Sequence, residues 1–475
     1  MLKFSVAILL FWFVQQSHLA PSIDSFLVKS LKDNGKVTVV VSMKDRTASF
    51  LNQISLASFA TRADRLNTVA KGLQIFAEKS QANILQILDQ ESRGKQFTFK
   101  SLWLTNQVII RDADLDLIQK LSAYEEIDSI TEEQVAYIEE TIDLQVNDNL
   151  PLPTEEFFQW GIKEIEAPLV WDEGNRGEHV IVATIDTGVR GTHEALRGNF
   201  RQEYGWYDPP FGTVVPTDNH GHGTHTTANI AGAARNIGVA PRSRWISCRG
   251  CTASSCFQSH LLECAQWITC PTDIATNRTD CSMAPDLVSN SWVSSRGATW
   301  FAESIRAWRT AGIIPLVSIG NSGPGCGTAT SPGDDEFVIG VGATTMDNVL
   351  STFSSVGPTH TGSNIKPDIV APGSQVFSAY HTSDTAYASM SGTSMASPHA
   401  AGTVALIMSS EPEDNHNFEL IKAALQLGSV PTTSEGKSCD GIPDTHIPNH
   451  HIGYGRINAR QSINWYRRLQ KIRGY

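Results

Sequence analysis

Residues 180–188 read Val-Ile-Val-Ala-Thr-Ile-Asp-Thr-Gly, and the fold class follows from this stretch. Its first six residues are β-branched or alanine and show no alternation of apolar with polar. That pattern belongs to a strand covered on both faces, as in a parallel sheet between two layers of helices. Runs of the same kind recur at Leu287-Val-Ser-Asn-Ser-Trp292, Ile313 to Ile319 and Val338-Ile-Gly-Val-Gly-Ala343, with helical patterns between them. Strands alternating with helices predict an α/β, three-layer domain on a mostly parallel sheet. Asp186 closes the first strand, where open α/β sheets place their sites. Taken alone, an aspartate there reads first as a helix cap or a turn residue.

Upstream the pattern changes. Lys36 to Ser42 reads as a strand, Ala60 to Gln90 as a helix, Phe97 to Leu102 and Gln107 to Arg111 as paired strands. A second helix follows over Asp114 to Leu121 and a last strand near Ile127 to Ile130. The order βαββαβ is that of a small α+β ferredoxin-like sandwich. Residues 141–154 carry Pro151-Leu-Pro153 and little periodicity, which reads as an exposed linker and a domain boundary near residue 150. The C-terminal run Arg456 to Arg473 reads as a helix with a solvated basic face.

At the start, one cation (Lys3) precedes a run from Phe4 to Val14 that is apolar except for Ser5. The run is too short to span a bilayer and fits a secretory signal over residues 1–20. A net charge of −12 gives no reason to expect attraction to nucleic acid or anionic membranes. The eight cysteines are Cys248, Cys251, Cys256, Cys264, Cys270, Cys281, Cys326 and Cys439, with none before them. An even number behind a signal reads as disulfides formed outside the cell, in any of 105 pairings. Cys248-Arg-Gly-Cys251 is also the spacing of a redox pair or half a zinc ribbon, but the second half is missing. Asn277-Arg-Thr279 is a glycosylation sequon.

Hydrolysis of an amide needs an activated hydroxyl, a base to take its proton, a group that orients the base, and donors for the oxyanion. His222 lies in Asn219-His-Gly-His-Gly-Thr-His225, with glycines on both sides, and imidazole titrates near operating pH. Three close histidines also suggest a metal site, although no HExxH spacing is present. Ser394 lies in Ser391-Gly-Thr-Ser-Met-Ala-Ser-Pro-His-Ala-Ala-Gly402, ahead of a helical run from Met395 to Met408. At a helix N-terminus free N–H groups favour negative charge. Asn321 follows a strand in Ile319-Gly-Asn-Ser-Gly323, where its carboxamide could donate to an oxyanion.

These four strings, in the order Asp, His, Asn, Ser, resemble those of the subtilisin-like (subtilase) peptidases over roughly residues 155–460. Smaller matches are Ile237-Gly-Val-Ala-Pro241, Phe353-Ser-Ser-Val-Gly357 and Ile365 to Gly373. Trp160-Gly-Ile, Ser289-Asn-Ser-Trp292 and Gly453-Tyr-Gly-Arg-Ile457 look most like the bacillopeptidase F branch. The resemblance implies a secreted serine endopeptidase of protein substrates, commonly monomeric. Residues 21–150 are then similar to a propeptide that assists folding and inhibits the catalytic region (151–475) until self-cleavage. Ser394 would be the nucleophile, His222 the base, Asp186 its orienting carboxylate, and Asn321 with the Ser394 N–H the oxyanion hole. Ser291, Trp292, Val293 and Gly320 match the substrate-binding positions.

Two departures stand out. The family often has glycine where Val293 stands, which makes the pocket wall bulkier here. Members with the strong calcium site carry an acidic ligand nine residues past the aspartate, and that place is Ala195. No metal or cofactor is therefore expected. Two rival readings remain: a catalytically weak binding protein on the same scaffold, and a processing enzyme with an acidic pocket. The second would draw on Asp334 and Asp335, which also read as a solvated loop.

Overall fold

The structure, a computed structural model, describes residues 22–147, 158–362, 364–411, 416–434 and 436–473. The expected signal segment and the Pro151-Leu-Pro153 part of the expected linker lie outside the described residues.

The first region is built on a five-stranded sheet. Its order runs Ser22–Ile23, Ile127–Glu132, Val37–Met43, Gln107–Ala113, Thr98–Leu102. Numbering the four longer strands along the chain gives 4-1-3-2, antiparallel throughout. The pleat sends alternate side chains to opposite faces. Val39, Val41, Val108 and Ile110 pack with Leu117, Ile118, Ile84 and Leu88 in one cluster, while Ile109 points the other way. The helix Arg62–Ser92 starts where Thr61 accepts from the N–H of Asp64 at 3.1 Å, a side-chain cap followed by an acidic first turn. Its C-terminal half packs inside this region. Leu66, Val69 and Leu73 instead join Leu261, Phe301 and Trp308 of the second region. Ile75, part of the same periodicity, is exposed.

The second region carries the parallel sheet. Seven strands run in the order Ile369–Pro372, Ile339–Thr344, Ile314–Ser318, Leu287–Asn290, Ile181–Asp186, Arg244–Arg249, Trp206–Tyr207. Each adjoining pair is parallel. The two faces separate cleanly along the strands. Val182, Leu287 and Leu316 face the helices His222–Ala231 and Thr393–Ser410, whereas Ala183, Val288 and Val317 face Gln258–Thr269 and Ala302–Ala311. With apolar surface worth about 25 cal/mol per Å² on each face, a strand with no polar side is what this layering demands. The expected α/β class and the strands read from sequence stand, with ends shifted by a residue or two.

All eight cysteines pair, as Cys248–Cys264, Cys251–Cys256, Cys270–Cys281 and Cys326–Cys439. Cys248 and Cys251 are thus not a redox pair. The stretch read as a linker is in part ordered pairing: Ile142–Asn147 forms an antiparallel strand against Tyr387–Ser391. The C-terminal helix, Ala459–Arg473, leaves Arg460, Arg467, Arg468 and Lys471 exposed and buries Ile463 and Tyr466, whereas Arg456 of the expected basic face precedes the helix and is buried.

Candidate active site

Asp186 is the last residue of the central strand Ile181–Asp186 and is 1% exposed. A buried carboxylate must be fully hydrogen-bonded to stay ionised at acceptable cost. Oδ1 accepts from the Thr187 N–H and faces His222 Nδ1, both at 2.7 Å, and Oδ2 accepts from the Thr226 hydroxyl at 3.1 Å. Paired in this way, His222 carries its proton on Nδ1 and turns Nε2 outward as the acceptor. Nε2 is buried and has no partner among the described residues.

His222 opens the helix His222–Ala231, and the chain enters that helix through Gly221 at φ 102°. Gly223 lies against the Asp186 turn, where an added Cβ would stand 2.0 Å from the Gly188 carbonyl. Asp218 holds the entry. Its Oδ1 accepts from the N–H groups of His220 and Gly221 (2.9 Å each) and the Thr187 hydroxyl (3.0 Å). Its Oδ2 accepts from the Thr224 N–H at 2.9 Å and hydroxyl at 2.6 Å. Sequence reasoning missed Asp218. Its signal was an acidic residue four places ahead of His222, at the start of a helix whose first N–H groups need acceptors.

The third histidine of the motif has a structural role. His225 Nε2 faces the Val376 and Ala388 carbonyls at 3.1 Å, and burial lowers its pKa to about 3. No cluster of three or more metal-ligating side chains occurs among the described residues. Ala195 is buried in the core.

Ser394 is the second residue of the helix Thr393–Ser410 and is 3% exposed. Its Oγ lies 3.4 Å from the Ser291 carbonyl, and the Ser291 hydroxyl donates to the Ser394 carbonyl at 3.1 Å. The hydroxyl does not bond His222 in this state. Asn321 Oδ1 accepts from both the N–H (2.8 Å) and the hydroxyl (2.9 Å) of Thr393. Those two donors fix the amide orientation, so Nδ2, beside Gly392, is the group free to donate at the helix N-terminus. Gly320 sits at φ 106° against Thr330, too close for any side chain.

Of the expected substrate positions, Ser291 and Val293 line the cleft with their backbone. The Trp292 indole turns into the core, with Trp300 at 6.0 Å and Phe301 at 5.0 Å between ring centroids. The chain's own residues lie along the cleft. Val135–Tyr137 pairs antiparallel with Ser255–Phe257, the strand stapled by Cys251–Cys256. On the other side Tyr137 and Val293 exchange both backbone hydrogen bonds, at 2.7 and 2.9 Å. Asp334, expected in a solvated loop, is 8% exposed and accepts from the Ser331 hydroxyl at 2.7 Å. Asn277 is exposed.

A model described as the subtilase family matches residues 177–455. The chain is 28% identical to bacillopeptidase F of Bacillus subtilis (strain 168) across 93% of its own length, but covers only 32% of that protein. It is 33% identical to subtilisin Savinase of Lederbergia lenta over 57% of this chain and 93% of that one. Serine protease AprX of Bacillus subtilis (strain 168) is 31% identical over 60% of this chain and 66% of its own.

Proposed function

Since the chain belongs to the subtilase family, we propose that it is a secreted serine endopeptidase made as a self-activating zymogen. Ser394 attacks the scissile carbonyl while His222 takes its proton and returns it to the leaving amine. Asp186 holds the imidazole tautomer and stabilises the imidazolium. The Asn321 carboxamide and the Ser394 N–H receive the oxyanion. The observation that carries the reading is the chain from the Thr226 hydroxyl through Asp186 to His222 Nδ1, which leaves Nε2 as the one unengaged nitrogen of the ring.

The first region acts as inhibitor and folding partner, a role supported by its residues 135–137 occupying the cleft as a substrate backbone would, by strand addition. Secretion is supported by the apolar segment from Phe4 to Val14 and the four disulfides. No described helix is long and apolar enough to cross a membrane. Asn277 is exposed and able to carry a glycan.

The test is expression of the wild type beside Ser394→Ala, with fragment masses and casein hydrolysis measured in the medium. The wild type should lose its first region and cut casein. The variant should stay full-length, with kcat down by about 10⁶-fold. A Ser394→Ala protein that still cuts casein would sink the assignment.

A further inference from the structure

Antiparallel pairing fixes which residue stands opposite which. Tyr137 pairs with Val293 through both backbone bonds. Stepping two residues forward on one strand and two back on the other sets Glu139 opposite Ser291. Ser291 is the residue whose carbonyl lies 3.4 Å from Ser394 Oγ. The Ile138 N–H donates to the Ser254 carbonyl at 2.8 Å, so the segment remains between the two walls up to this point. Beyond the site the chain pairs again, Ile142 opposite Ser391, three residues before Ser394. Residues 138–141 therefore run past the Ser291 and Ser394 side of the cleft, held in register at both ends.

Glu139 is half-buried, and the backbone N–H of Asn321 is the neighbouring group that favours its charged form. It forms no ion pair among the described residues. Burial pushes this carboxyl up, and the Asn321 N–H only partly offsets that. Among the described residues the side chain is thus met by the Asn321 backbone donor and by no cation. A donor suits a carboxyl or carboxamide oxygen and gives nothing to an ammonium group.

Resting on the serine-peptidase reading above, we infer that maturation cuts the Glu139–Glu140 bond and that the pocket beside Ser291 and Asn321 selects glutamate, so that the mature enzyme cleaves peptides after glutamate. In this step Ser394 Oγ bonds to the Glu139 carbonyl carbon and its proton passes to His222. The C–N bond to Glu140 breaks, and the new amine takes that proton. Water then hydrolyses the acyl-enzyme, freeing Ser394 and leaving a carboxylate on Glu139. The active chain begins at Glu140, and Ile142–Asn147 stays paired to Tyr387–Ser391 as part of it.

The test uses the full chain as secreted. Intact masses and N-terminal sequencing should give one fragment ending at Glu139 and one beginning at Glu140. Peptides of the form Val-Ala-Tyr-Ile-X with a chromogenic leaving group should show kcat/KM at least tenfold higher for X = Glu or Gln than for Lys or Phe. Glu139→Lys should slow self-cleavage at least tenfold, and Glu139→Gln should restore it. A first residue other than Glu140, or faster cleavage after Lys or Phe, overturns the inference. Casein hydrolysis separates the two levels. A protein active on casein but cut elsewhere loses only the glutamate assignment, whereas an inert full-length protein loses the peptidase reading itself.

Discussion

The two regions bury apolar surface by different means. The second has a parallel sheet covered on both faces and four disulfides within residues 248–439. The first has no cysteine, and one face of its sheet and half of its long helix complete their burial only against the second. The polar part of the joint is made by long cations of the first region. Lys100 and Arg111 reach Glu263 at 2.5 and 2.6 Å, Arg62 reaches the Ala284 carbonyl, and Arg65 reaches that of Thr310. Such side chains rehydrate readily when pulled away, and surface carbonyls accept water in their place. The joint is suited to separating and the second region to lasting, which fits a zymogen.

The sharpest way to break the comparison is at the site the joint covers. Asn321→Ala should lower kcat by about 10²–10³-fold with little change in KM, because the amide acts on charge that develops only in the transition state. Steady-state kinetics on casein peptides would check this, and a loss seen mainly in KM would contradict it.

Next comes the covalent difference. Cys326 and Cys439 are separated by 113 residues, and chain-entropy models give about 4.7 kcal/mol for a loop of that order. Replacing both by serine in a Ser394→Ala background should cost roughly 2–5 kcal/mol in urea unfolding of the second region. Near-UV circular dichroism and hydrogen exchange should show the first region opening no earlier than the second.

The polar joint should respond more mildly. Burial pushes the Glu263 carboxyl up, but Lys100 and Arg111 outweigh it and hold the group below the ordinary carboxylate range. With the folded value depressed, its contribution is full above the ordinary carboxylate pKa and fades as pH falls through the lower folded value. Glu263→Gln should therefore weaken the joint at neutral pH by about 1.5–3 kcal/mol. The expected readout is faster hydrogen exchange over Thr98–Ala113.

Acid should act first elsewhere. His225 and His399 are buried neutral, with pKa values lowered by burial to about 3 and about 4. Their unfolded values are about 6.5, so the unfolded chain takes the protons first. Between about pH 6.5 and 5 the second region should lose stability, by at most about 1.4 kcal/mol per histidine per pH unit, while the Glu263 contacts persist. Urea titrations of Ser394→Ala at pH 7 and 5 would show whether this order holds.

Much of the fold was legible because its signals are local. The run Val180 to Ile185 announces a two-faced strand whatever surrounds it, and the apolar spacing over Ala60 to Gln90 announces a helix. The candidate site was legible for the same reason. Asp186, His222, Asn321 and Ser394 each sit at a strand end or helix start recognisable from glycines and small residues nearby. Asp218 was missed because an acidic residue four places ahead of His222 does not by itself show that five donors converge on it. The Ile142–Asn147 strand was read as linker because an edge strand that pairs only with Tyr387–Ser391 needs no apolar alternation of its own.

From the sequence alone came the layer architecture, the four candidate chemical groups and the small sandwich before them. Each depends on residues within a few positions of one another. Tertiary structure alone decided which cysteines pair, that Trp292 turns inward while its neighbours line the cleft, that Asp334 is buried, and that Glu139 stands opposite Ser291. Those outcomes join residues as many as 152 positions apart, and only the packing of the whole chain brings such residues into register.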